Sequence, residues 1–156
     1  MKAQSCTLRK PDDIQEKWYV VNAEGCVVGR LATRIASILR GKKEPAFATH
    51  QNPKIHVIVI NAEKILFTAD KLKTKMYYHH SGWRTGIKAI SAEHLLAEKP
   101  EEVLRKAIHG MLPSGPLGSC FRKNLRLFRS GEYNGQHDAQ KPEVLVLKTR
   151  TPKVTL

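Results

Sequence analysis

Residues 18–43 read WYVVNAEGCVVGRLATRIASILRGKK, a strand, a glycine-containing loop and a helix in that order. Trp18 to Val21 are aromatic and β-branched, the composition of a short buried strand. Leu31, Ile35, Ile38 and Leu39 recur at the i, i+4, i+7, i+8 spacing of an amphipathic helix. Gly41 stands where a helix C-terminus favours glycine, and Gly25 falls in a turn, NAEG, that asks for a positive φ. Further on, IHVIVINAEKI (55–65) supplies a second strand, whose unbroken apolar run predicts burial on both faces. Strand, helix and strand in this order predict a right-handed βαβ unit and a parallel sheet.

The same order introduces many nucleotide sites, so the loop chemistry has to be tested. A dinucleotide fingerprint needs three glycines; here only Gly25 and Gly29 fall in the loop, spaced GxxxG. A phosphate-binding P-loop needs GxxxxGK and then Ser or Thr, whereas Gly29 is followed by Arg30 and Leu31. The lysine and the magnesium-holding hydroxyl are both missing, which disfavours the alternative of a nucleotide-binding module. A helix N-terminus preceded by Gly29 and followed by Arg30 still suits an anion, including a phosphate in an RNA backbone.

The rest of the chain continues the alternation. Residues 68–88 lack a helical stripe and read as a basic loop with a short strand at KMYYHH (75–80). SAEHLLAEK begins on a Ser91 N-cap, and Pro100 opens PEEVLRKAIHGML, with Glu101 and Glu102 in the first turn as the helix dipole favours. LPSGPLGS breaks that helix, and a short helix near CFRK and a strand, LRLF, follow. Residues 1–17 read as an N-terminal arm, 18–142 as one α/β domain, and 143–156 as an extended C-terminal tail.

Charge points to the partner. The 156 residues carry 27 Lys and Arg against 14 Asp and Glu, a net +13 that solubility does not require and that self-repulsion makes costly. The excess is clustered. Cys26 to Lys43 holds Arg30, Arg34, Arg40, Lys42 and Lys43 without an acid. Val103 to Gly131 holds Arg105, Lys106, Arg122, Lys123, Arg126 and Arg129, again without one. Lys71, Lys73 and Lys75 alternate, so in extended chain they would project to one side. Tyr77, Tyr78, His79, His80, Trp83 and Arg84 follow directly. Cations interleaved with planar side chains suit RNA, where phosphates take the charge and unpaired bases take the planes; Tyr77, Tyr78, Trp83 and His80 are the stacking candidates.

Other classes fit less well. Cys6, Cys26 and Cys120 are far apart without a CxxC pair, which suits a reducing compartment and offers no zinc knuckle. Seven histidines include no HxH or helical HxxxH pair, and adjacent His79 and His80 would point to opposite faces of a strand. No serine sits in GxSxG. The longest apolar run, Val57 to Ile60, cannot span a bilayer, and residues 1–17 lack a secretory core. The reading is therefore no enzyme, metal, cofactor, membrane or small-molecule substrate. A DNA-binding module would need one helix presenting groove-reading side chains; cations spread over several loops fit folded RNA better.

WYVVNAEGCVVGRLATRIASILRGK, VIVINAEKI, KMYYHHSG, GIK, PEEVLRKAIHGMLPSGPLG and HDAQKP occur in the order found in bacterial large-subunit ribosomal protein L13, and the resemblance runs from about Cys6 to Leu147. It implies a three-layer α/β/α fold with a small, mainly parallel sheet of about four strands and extended terminal arms. It implies a cytoplasmic, non-catalytic constituent of the large ribosomal subunit, with large-subunit (23S-type) rRNA and neighbouring ribosomal proteins as partners and an early part in assembly. The family's rRNA contacts fall on the helix with Arg30, Arg34 and Arg40, on Lys42, Lys43 and His50, on KMYYHHSG, on Lys88 and on His109; His137, what remains of a pair of histidines usual in the family, is a further candidate. The remaining candidates, Lys71, Lys73, Lys75, Arg84, Lys106, Arg122, Lys123 and Arg126, come from the charge clusters. The chain also departs from the family pattern. Lys54 and Ile55 replace a Gly-Asp pair, Ala69 replaces a Gly, and Trp83-Arg84-Thr85-Gly86 replaces aromatic-Pro-Gly-Gly. Gly135 stands where the first of two histidines is usual, in a loop about two residues longer.

Overall fold

The computed structural model describes residues 14–45, 47–131 and 141–145. Within them, β1 (Lys17–Asn22) leads to α1 (Val28–Leu39) and β2 (Ile55–Ile60), and β1 and β2 pair in parallel from Lys17 opposite Ile55 to Asn22 opposite Ile60. The βαβ unit read from residues 18–60 is present. Leu31, Ile35, Ile38 and Leu39 are buried as their spacing requires, and Leu31, Ile35 and Leu39 are completely so. Each such side chain removed from water contributes about 1.5–3 kcal/mol before entropy is charged against it. Gly41 takes φ +73°, and a Cβ there would stand 2.8 Å from Cβ of Pro53. The helix therefore ends on a residue that must be glycine for conformational and steric reasons alike.

The sheet has the order β5-β2-β1-β6, all pairs parallel, with β5 at Leu125–Leu127 and β6 at Glu143–Leu145. Val57, Ile58 and Val59 are completely buried, so the apolar run of β2 is covered on both faces as its composition demands. Val21, Val57, Val59 and Leu127 share one core with α1 and with α4 (Pro100–Met111), which pack against each other. Val20 and Ile58 face the other way, with the stacked rings of Trp18 and His56 beside them. α4 starts on Pro100, and α3 (Ala92–Glu98) starts on Ser91, whose hydroxyl accepts from the His94 amide at 3.3 Å.

Four features differ from the sequence reading. Lys71–Thr74 form a single helical turn, α2, rather than extended chain, so Lys71, Lys73 and Lys75 do not share a side by strand alternation. The strand at Met76–His80, β3, has a partner that the sequence did not reveal, β4 (Ile87–Ser91), and the two form a separate antiparallel hairpin. α5 (Pro116–Lys123) starts within the segment read as a break. The first residues of the segment read as a tail, Glu143–Leu145, form an edge strand of the main sheet.

The departures from the family pattern acquire a physical meaning. Lys54 and Ala69, where the resemblance implies glycine, adopt φ of 50° and 51°. The backbone keeps a left-handed conformation at both positions, where a side chain costs roughly 1–2 kcal/mol.

Candidate nucleic-acid interface

The loop between β1 and α1 is stitched to the segment after β2. The Gly25 amide donates to the Lys64 carbonyl, the Leu66 amide to Cys26, and the Val28 amide to Leu66, all at 2.9–3.1 Å. Gly29 lies inside the helix rather than before it, since α1 begins at Val28 with Val27 as N-cap. Backbone pairing of Val27 with Leu66 thus does what a capping side chain would do, and no glycine-rich cradle is left for a nucleotide phosphate.

This stitching forms one wall of a cleft of about 480 Å³. Arg30 on α1, Lys71 on α2, Lys75 between α2 and β3, and Lys106 on α4 converge there. Tyr77 lies among them, and the ammonium groups of Lys75 and Lys106 stand 5.3 and 5.2 Å from its ring centre. Burial raises the Tyr77 phenol above its usual range, so its hydroxyl stays protonated as a donor. Leu66, Phe67 and Met111 supply apolar wall. Met111 also lines an adjoining groove with Thr33, Ser37, Arg40 and Lys42, so a basic surface continues along α1.

The remaining candidates are dispersed. Arg34 is exposed one helical turn beyond Arg30, as i, i+4 spacing requires. Tyr77 and Tyr78 point to opposite faces of the hairpin: Tyr77 packs against the core, whereas Tyr78 is 68% exposed on the face it shares with His80 and Ile87. Trp83, in the hairpin turn, is 79% exposed, with Arg84 next to it and Lys88 on β4. His109 on α4 is held below its usual range first by burial, then by Arg122 and Arg105, with Glu102 opposing. Lys43 borders a small cleft near Tyr19 and Glu143. His50, Lys73 and Lys123 are exposed elsewhere. Arg126 is opposite Ile58, on the sheet face away from α1 and α4. His137 lies outside the described residues.

Charge pairing separates two groups of cations. Among the described residues, carboxylates engage Lys17, Lys64, Arg105 and Arg129, together with His94. None of these five was a candidate. Lys71, Lys75, Lys106, Lys42, Lys43, Lys88 and Arg34 pair with no carboxylate among the described residues, and neither do Lys54, Lys99 and Lys141, which were not candidates. Leu66, Phe67 and Met111, the apolar side of the cleft, were missed, because no local pattern distinguishes them from ordinary hydrophobic positions. Among the described residues no cluster of three or more His, Cys, Asp or Glu could hold a metal ion, and no helix is long and apolar enough to cross a membrane.

Residues 16–134 match the family described as Ribosomal protein L13. The chain is 49% identical to the large ribosomal subunit protein uL13 of Shewanella amazonensis over 136 residues, which cover 87% of this chain and 94% of that protein. Against the uL13 of Psychrobacter sp. it is 48% identical, over 93% of this chain and 99% of the relative. With the uL13 of Clostridium tetani the identity is 45%, over 90% and 96%.

Proposed function

The chain belongs to the ribosomal protein L13 family, and from that premise we propose that it is a structural, non-catalytic constituent of the large ribosomal subunit that binds large-subunit rRNA. The observation that carries the rRNA reading is the separation of charge. Carboxylates neutralise cations outside the cleft, while Lys71, Lys75 and Lys106 converge in it with no such partner among the described residues. Lysine and arginine replace counterions condensed on RNA, and a rigid domain carrying them on several elements fixes RNA segments relative to one another. Tyr78 and Trp83, exposed on the hairpin, offer planes for unpaired bases. That geometry suits a protein that joins early in assembly, holding RNA segments in place before later components arrive. Neighbouring large-subunit proteins are its other partners, and the ribosome places it in the cytoplasm.

Sedimentation of a lysate through sucrose at moderate and then high salt tests this reading. The protein is expected with the large subunit until high salt releases it, and free protein at moderate salt would refute it. Arg34→Glu is expected to weaken binding to large-subunit rRNA while leaving the thermal melt unchanged, because Arg34 is exposed. If the variant unfolds instead, Arg34 serves the fold rather than the RNA.

A further inference from the structure

The cleft beside α1 is more than a patch of charge. Its rim is cationic, with Arg30, Lys71, Lys75 and Lys106, but its wall is apolar. Leu66 and Met111 remain 41% and 42% exposed there, an arrangement that a phosphate alone does not explain. A binding pocket with apolar walls and a few convergent charges is built for a ligand that has both parts. Two ammonium groups drawn to one tyrosine ring concentrate positive charge in the cleft, which a bound anion offsets. A nucleotide lifted out of an RNA stack has the required parts: a flat apolar base and a flanking phosphate.

We propose that this cleft receives a single unpaired nucleotide extruded from rRNA, its base lying against Leu66, Phe67 and Met111 and its phosphate held by Lys75 and Lys106. The inference rests on the rRNA-binding reading above and adds a defined site to it. Extrusion costs least at a bulge, so bulged RNA is the natural substrate. The volume of about 480 Å³ accommodates one nucleotide.

The test uses the full chain and short RNA hairpins carrying one bulged A, C, G or U, the same hairpin without a bulge, and one with an abasic bulge. Free nucleoside 5′-monophosphates form a separate arm. At least one bulged hairpin should bind about tenfold tighter than the fully paired and abasic ones, the scale of one stacked base. Leu66→Ala and Met111→Ala, both at half-exposed positions, should each reduce that preference. Equal affinity for bulged, paired and abasic hairpins overturns the proposal and leaves rRNA binding intact. Failure to bind any hairpin at moderate salt overturns both. Free monophosphates binding as tightly as the bulged hairpin would assign the cleft to soluble nucleotides and overturn the RNA assignment.

Discussion

Removing Lys71, Lys75 and Lys106 together, each as Lys→Ala, should change the salt dependence of RNA binding more than any other three-residue change of equal charge. All three are exposed, line one cleft and lack a carboxylate partner among the described residues. If the three cations neutralise two phosphates, Lys75 and Lys106 sharing one, the slope of log affinity against log salt should flatten by about 1.4, taking roughly 0.7 per contact with unpaired RNA. Between 50 and 200 mM salt the variant should then lose about 7-fold less affinity than the parent chain, although it binds more weakly at low salt. The controls come from the same structure. Lys64 lies 3.1 Å from Glu24, and Arg129 lies 3.4 Å from Glu63. Their charges are already partly compensated, so Lys64→Ala and Arg129→Ala should each move the slope by well under one. Filter binding or fluorescence anisotropy with a large-subunit rRNA fragment over a salt series measures all of these. Loss of the two contacts to the Tyr77 ring, set against relief of repulsion between like charges, should leave the melt within about 1 kcal/mol. The reasoning fails if the paired-cation controls flatten the slope as much as the cleft variant does. It also fails if the triple variant binds with an unchanged slope.

Three further outcomes test the fold. Leu104, completely buried where α4 meets the core, should cost about 2–5 kcal/mol as Leu104→Ala in urea titrations, with no collapse of the neighbouring helices to fill the space. Ala69→Gly should stabilise the protein by about 1 kcal/mol, since its φ of 51° strains a side chain; an unchanged or lower urea midpoint would mean that the left-handed backbone carries no cost there. His109, depressed below its ordinary 6.5, stays neutral in the folded chain at a pH where the unfolded chain takes up a proton. Stability present above 6.5 should therefore fall as pH drops through 6.5 towards the lowered folded value and level off below it, and His109→Gln should flatten that part of the curve.

Most of the architecture was legible because its signals are local. The stripe of Leu31, Ile35, Ile38 and Leu39, the β-branched run at Val57 to Ile60, the Ser91 cap and Pro100 each reflect a residue's own burial or backbone preference, and all stand where they were read. The segment at Lys71 to Lys75 misled because alternation of lysines is compatible with a strand and with one helical turn alike; Thr74 closes that turn by donating its amide and hydroxyl to the Asp70 carbonyl. β4 stayed hidden because Ile87 to Ile90 are exposed, so no buried face marks them.

By itself, then, the order of residues determined the βαβ core, the helix boundaries set by Gly41, Ser91 and Pro100, and a clustered excess of positive charge. Only tertiary structure decided that Glu143–Leu145 would become an edge strand against β1, and that Tyr77 would turn inward while Tyr78 turned outward. It alone brought Arg30, Leu66, Lys71, Lys75, Lys106 and Met111 around one cleft. The reason is physical. Periodicity and capping are free energies of a segment in its own solvent, readable along the chain. Which distant cations end in one cleft depends on how α1, α2 and α4 pack, and no local pattern carries that information.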